Sequence, residues 1–231
     1  TAERMYNTVG TVKEFLDEFE RDALRAGQIL GTGSDGPADI RAVQGALLDG
    51  YDAAVRDGRP MGLPSGYPSL DWKCGGMMGA EMIVIGGRPS SGKTTLALNI
   101  GLRVAQAGTP IAFYSLETSV PKLVHRMQCI LGEVAGSGFR NGKVTNEDIA
   151  RMTVGTSRVA ALSSRLFLYN APLTDASLAS QARDDYRRGA RLFILDYLQL
   201  MIAKGDGDTE RATAASKAIK RVAQELNCPF I

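Results

Sequence analysis

Histidine, tryptophan and cysteine are close to absent from this sequence. It has one histidine, His125, one tryptophan and three cysteines, Cys74, Cys129 and Cys228. The cysteines are far apart and odd in number. They offer neither a metal-binding spacing nor a disulfide framework, and they point to a reducing compartment. A lone histidine with no Ser or Cys nucleophile partner excludes a hydrolase dyad or triad, and His125 is expected on a helix surface. No apolar run reaches membrane-spanning length, and the N-terminus has no signal-peptide pattern, so no membrane partner is expected. A strong charge of one sign is missing as well. With 27 basic and 25 acidic residues the formal charge is +2, too small to announce a nucleic-acid binder by electrostatics alone. It does not exclude one, because a channel lined by several subunits can be basic while each subunit is near neutral.

What is present suits one good-sized domain and an appendage: 231 residues, of which 44% are hydrophobic. The chain opens on Thr1 and stops in "CPFI", an apolar run of strand type, and reads as a piece of a longer protein. Residues 1–30 form an N-terminal helical segment. In "TVKEFLDEFERDALRAG" the residues Val12, Phe15, Leu16, Phe19, Ala23 and Leu24 make a helical stripe that ends at Gly27. Residues 31–60 combine a linker, "LGTGSDGPAD", with a second helix. Asp39 is its N-cap and Gly58 its stop, and Ile40, Val43, Leu47, Tyr51, Ala54 and Val55 share one face. Gly45 and Gly50 each weaken it by about 1 kcal/mol relative to alanine. Its stability must come from packing, either on its own domain or on a neighbouring subunit.

From residue 61 to 231 the rhythm is β-α-β-α. Strand-type runs are "EMIVIG", "IAFYSL", "RLFLYN", "RLFILD" and "PFI". Helices are expected over Thr94–Ala107, Val120–Leu131, Asn146–Leu162, Asp175–Arg188 and about Thr209–Leu226, with Thr145 and Asp148 in a capping arrangement. Short apolar strands alternating with helices indicate an α/β fold, a mostly parallel central sheet flanked by helices.

Three segments carry chemistry. Gly87-Arg88-Pro89-Ser90-Ser91-Gly92-Lys93-Thr94 matches the P-loop pattern in every fixed position, with a strand before it and a helix after it. The glycines let backbone N–H groups turn inward around phosphates, and the helix start adds its positive dipole end. Lys93 can reach the β- and γ-phosphates, and the Thr94 hydroxyl can ligate Mg²⁺; Thr95 completes the nucleotide-binding stretch. "RLFILD" places Asp196 at the C-terminal edge of a buried parallel strand, where ligands of open α/β sheets bind. Asp196 is therefore the candidate Walker B carboxylate on the metal side. "IAFYSLE" ends in a second acid, Glu117. By spacing alone Glu117 is either the general base for an attacking water, provided its strand neighbours the P-loop strand, or a carboxylate capping the following helix. The remaining signals are weaker. Met77 and Met78 read as packing, and "AKGDGDTERA" as a solvated loop with a DNA-facing role as the alternative.

Together "GGRPSSGKTTLALNI", "FYSLETSVPKLVHRM", "LFILDYLQLM" and "SKAIKRVAQELNCPFI" resemble the DnaB-type replicative helicases, RecA-like P-loop NTPases of bacteria and bacteriophages. "LPSGYPSLDWKCGGMMGAEMIVIGGRPSSGKT" and "FRNGKVTNEDIARM" fit the same pattern, so the resemblance covers about Pro60 to Ile231. It implies ATP and Mg²⁺ as ligands, Lys93 and Thr94 as phosphate and metal residues, Glu117 as the catalytic glutamate, Asp196 as the Walker B aspartate and Arg126 as an arginine near the nucleotide. Without the resemblance Arg126 is a helix-surface cation. Gln199 reads as structural, with a link from nucleotide to DNA loops as the alternative. The resemblance further implies a homo-oligomer, a hexameric ring on single-stranded DNA, primase and helicase-loader partners, and a cytoplasmic location in a bacterial cell or phage-infected host. It places the Asp39–Gly58 helix as the linker helix that docks on the adjacent subunit. The family's γ-phosphate-sensing glutamine, DNA-binding loops and arginine fingers have no counterpart that can be placed before Ile231, so these residues alone are expected to bind ATP and barely turn it over. Two other functions compete: a RecA- or KaiC-like ATP-driven assembly or recombination protein without unwinding, and a non-catalytic nucleotide-binding relative.

Overall fold

The computed structural model describes residues 39–88, 90–196, 201–202 and 207–231. The chain forms two compact units, Thr1–Asp49 and Gly50–Ile231. In the first, the described residues are the opening turns of helix α1, Ile40–Asp57. The Asp39 carboxylate accepts a hydrogen bond from the Arg41 N–H at 3.0 Å, the bond expected of an N-cap. The helix expected before Gly27 and the glycine-rich linker lie outside the described residues. The apolar side chains Ile40, Val43, Leu47, Leu48, Tyr51 and Val55 of α1 are exposed.

The second unit is built on a parallel sheet. Its strands are β1 (Ile111–Ser115), β2 (Leu166–Tyr169) and β3 (Leu192–Asp196), in the order β2-β1-β3. Beyond β3, Phe230 bridges in parallel to Phe193 on one side and to Met82 on the other. The Ile83 N–H donates to the Phe230 carbonyl at 2.7 Å. The expected strands "EMIVIG" and "PFI" are thus present as extended segments held by single bridges and not as full ladders. The outer one has a partner on one side only among the described residues, and Val84 is exposed. This order also corrects a premise of the sequence reading: β1 does not neighbour the segment that leads into the P-loop.

Alternation along the strands sorts the core into two layers. Ile111 and Phe113 of β1 and Leu192 and Ile194 of β3 pack against α3 (Lys93–Gln106) and α4 (Val120–Gly132). Ala112, Tyr114 and Phe193 face the other way, onto α7 (Asp175–Arg187) and α8 (Asp208–Leu226). Side chains such as Leu98, Leu123, Leu178 and Val222 are almost fully buried, each burial stabilising the fold by about 1.5–3 kcal/mol. The α7–α8 layer contains a charged group with no solvent contact. The Tyr114 and Tyr169 hydroxyls donate to the two Asp185 oxygens at 2.8 and 2.5 Å, and Arg188 approaches at 3.3 Å. Burial, reinforced by Asp185, pushes the Tyr169 phenol up to about 12 and the Tyr114 phenol higher still.

Helix boundaries fall within one residue of the sequence expectation. α6 (Asn146–Ala161) starts on a reciprocal capping box between Thr145 and Asp148, and α7 on a similar pair, Thr174 and Ser177. Two short helices were not anticipated, α2 (Pro68–Cys74) and α5 (Gly136–Arg140). The stretch read as the solvated loop "AKGDGDTERA" is helical from Asp208 onward. Helices α4 and α6 cross at two glycines. A Cβ on Gly155 would collide with the Gln128 carbonyl, and one on Gly132 with the Arg151 carbonyl. Met77 is buried in the core, as a packing role requires.

Candidate active site

The C-terminal edge of the sheet opens into a cavity of about 790 Å³. Its floor is the P-loop. Ser90 and Gly92 have φ of 62° and 95°, which turns the backbone sharply before α3 begins at Lys93. A Cβ on Gly87 would lie 2.6 Å from Ser91 Oγ, so the loop closes tightly only because that position is glycine. No side chain caps α3, which leaves its first N–H groups available to an anion. Lys93 Nζ donates to the Gly87 and Arg88 carbonyls at 3.1 Å each and so spans the mouth of the loop.

Of the nine residues expected to hold nucleotide, Gly87, Ser90, Gly92, Lys93, Thr94 and Thr95 line the cavity. Arg88 and Ser91 do not line it, and Pro89 lies outside the described residues. Glu117, Arg126 and Asp196 line it too. Glu117 arrives from the end of β1 even though two strand positions separate β1 from the P-loop segment, because parallel strands all present their C-terminal ends to one edge.

Asp196 is 6% exposed, and burial raises its pKa above the ordinary carboxylate range. A hydrogen bond with Thr94 and the charges of Arg126 and Lys93 act the other way, while Glu117 adds to the rise. Its Oδ2 is buried without a hydrogen-bond partner. A buried carboxylate oxygen left unpaired beside a hydroxyl suits a hard divalent cation, and the pair Thr94 and Asp196 fits Mg²⁺. Among the described residues no group of three or more His, Cys, Asp or Glu could hold a metal. One carboxylate and one hydroxyl match an ion that keeps several waters and takes phosphate oxygens.

A family model, the DnaB-like helicase C-terminal domain, matches residues 62–231. The chain belongs to this family. The DnaB-like assignment agrees with individual relatives. The chain is 31% identical over 240 residues to the replicative DNA helicase DnaB of Pasteurella multocida, an alignment that covers 100% of this chain and 51% of that protein. It is 29% identical over 236 residues to the replicative DNA helicase DnaB of Geobacillus stearothermophilus, covering 98% and 50%. The chain spans about half the length of the curated relatives it matches. Among solved structures it resembles an isolated ATPase domain, with a TM-score of 0.76, 23% identity, and coverage of 85% of this chain and 70% of that one. It also resembles a DnaB-like replicative helicase described with its interactions with primase, with a TM-score of 0.73, 21% identity, and coverage of 94% and 58%. The fold of this DnaB-like domain is therefore RecA-like.

The far wall of the DnaB-like cavity holds residues that the motifs did not single out. They come from α4 and α5: His125, Cys129, Gly136, Ser137 and Arg140. His125 is therefore not a plain surface residue. Its Nε2 lies 3.7 Å from Cys129 Sγ, and its ring meets Phe139 edge-on. Burial pushes the Cys129 thiol up, which disfavours the thiolate a nucleophilic pair needs. The one available signal for this wall was spacing, since His125 and Cys129 stand one helical turn apart. Gln199, in "DYLQLM", lies outside the described residues.

Proposed function

We propose that this chain is the ATP-driven motor of a replicative DNA helicase. One observation carries the proposal. In a chain of the DnaB-like helicase family, the P-loop residues Lys93 and Thr94, the buried Asp196, Glu117 and Arg126 all face one cavity at the C-terminal edge of the sheet. Lys93 exchanges its two carbonyl partners for β- and γ-phosphate oxygens, and the free N–H groups at the start of α3 hold the rest of the chain of phosphates. Thr94 and Asp196 hold Mg²⁺, which when bound draws the developing charge off the phosphates. Glu117 orients the attacking water and takes its proton. Arg126 adds positive charge near the nucleotide. An assembly or recombination protein without unwinding is not favoured by the family match.

The same reading supplies the context. The motor works as a homo-oligomeric ring, a hexamer, with ATP at subunit boundaries and single-stranded DNA as its track. The exposed apolar side chains of α1 supply a face for the neighbouring subunit. Primase and a helicase loader are partners, and the site of action is the cytoplasm of a bacterial or phage-infected cell. Among the described residues no helix is long and apolar enough to cross a membrane. The three parts of the chain act as an N-terminal helical segment over 1–30, a linker with its helix over 31–60 and the ATPase domain over 61–231.

The test is Glu117→Gln in the full-length protein. The change keeps the shape but removes the proton acceptor. ATP turnover and strand displacement on forked DNA are expected to collapse while ATP affinity stays within a few fold. Affinity and turnover falling together would make Glu117 a structural or metal residue.

A further inference from the structure

Glu117 sits in a turn that is fastened on three sides. On one flank the β1–β3 ladder runs to the pair Ser115 and Asp196, and the Leu116 N–H then donates to the Asp196 carbonyl at 2.8 Å. The turn is closed from within by the Thr118 N–H, which donates to Ser115 Oγ at 3.0 Å. On the other flank the β1–β2 ladder stops at the pair Tyr114 and Tyr169. One residue further on, the Asn170 side-chain amide donates to the Ser115 carbonyl at 2.8 Å. Ser115 is fully buried and Thr118 nearly so, which leaves little water to replace a lost donor.

We propose that Asn170 is a positioning residue for Glu117: its amide adds a rung to the β1–β2 ladder and holds the turn that presents the carboxylate to the cavity. This inference rests on the reading of Glu117 given above. Asn170 does not line the cavity and acts through the Ser115 carbonyl alone. Without it, β1 would be tied at its end only towards β3, and the Glu117 turn could swing away from the phosphate side. Chemistry would suffer and nucleotide binding would not, because the P-loop and Asp196 keep their own supports.

The experiment uses the full-length protein with Asn170→Ala and Asn170→Asp, each alone and combined with Glu117→Gln. Asn170→Asp keeps the shape and removes the donor, so it separates the hydrogen bond from any cavity effect. In both single variants kcat is expected to fall about 10-fold, since displacements below 1 Å at a reacting group are enough for losses of this order. The affinity for a non-hydrolysable ATP analogue and the thermal transition should stay within error of wild type. In the Glu117→Gln background, followed by single-turnover hydrolysis over hours, the Asn170 changes should cause no additional loss. Wild-type kcat in a folded Asn170→Asp variant overturns the inference, as does an equal loss in both backgrounds or a parallel loss of analogue affinity. If Glu117→Gln itself turns over normally, the motor reading fails and this inference with it. Normal turnover by Asn170→Ala beside an inactive Glu117→Gln variant overturns this inference alone.

Discussion

Replacing Asp196 by Asn should make the nucleotide-free protein more stable while it loses its use of Mg²⁺. The substitution is isosteric and removes a buried charge whose Oδ2 has no partner. A buried unsatisfied group costs about 1–3 kcal/mol. Relief of about 1 kcal/mol corresponds to a rise of roughly 2–4 °C in the melting transition for a domain of this size. The pH dependence follows from the direction of the shift. Burial holds the native pKa of Asp196 above its unfolded value, so the native state binds the proton more tightly. Wild-type stability therefore falls as pH rises from the unfolded aspartate range through the native pKa, and the deficit is constant above it. The variant escapes this loss. Its advantage should be absent in acid, open across that window and persist at neutral pH. Scanning calorimetry of the full-length protein reads this directly. A second pair of scans, with ATP analogue with and without Mg²⁺, reads the metal. A ligand at 100-fold its Kd adds about 2.7 kcal/mol of apparent stability, and the Mg²⁺-dependent part of that gain should vanish in Asp196→Asn. A variant that melts below wild type throughout, or that keeps the full Mg²⁺-dependent gain, refutes the assignment of this carboxylate.

Other outcomes can be checked alongside it. Lys93→Ala should lose charge-assisted contacts of about 1.5–3 kcal/mol each, read as weaker Mg²⁺-ATP binding by titration; unchanged affinity would remove Lys93 from the phosphate site. Ile40→Asp with Leu47→Asp should break the ring, seen by light scattering, with the melting transition retained; each lost apolar burial is worth about 1.5–3 kcal/mol, and a ring that survives would show that α1 does not hold subunits together. Asp185→Ala should cost at least about 2 kcal/mol in denaturant unfolding, because it strands two tyrosine hydroxyls in the α7–α8 layer; a loss under about 0.5 kcal/mol would mean that the pocket repacks.

Much of this architecture could be read from the residues. Periodicity placed α1, α3, α4, α6, α7 and α8 to within a residue, because caps such as Thr145 with Asp148 leave a local signature. The P-loop pattern and the two strand-end acids named most of one wall of the cavity. The strand order was less legible. Which strands pair is decided by helices packing on both faces, and no local pattern records it, so β1 was placed beside the P-loop segment only as a condition. The α4–α5 wall was missed for a related reason. His125, Cys129 and Arg140 come from two helices joined by a short turn, and their convergence depends on how α5 folds back at Gly136. Asn170 was hidden in the run "RLFLYN", where it looked like the end of a strand and nothing more.

The crossing of α4 and α6 bears on how tolerance to mutation should be interpreted. At Gly132 and Gly155 even alanine would drive one helix off the other, and α4 carries Arg126, His125 and Cys129 with it. A saturation scan scored by growth would show these two glycines as sharply depleted as Lys93 or Asp196. Neither lines the nucleotide cavity. Intolerance at such positions records the closest approach of two backbones, and a map of sensitive sites becomes a map of chemistry only after contacts of that kind are subtracted.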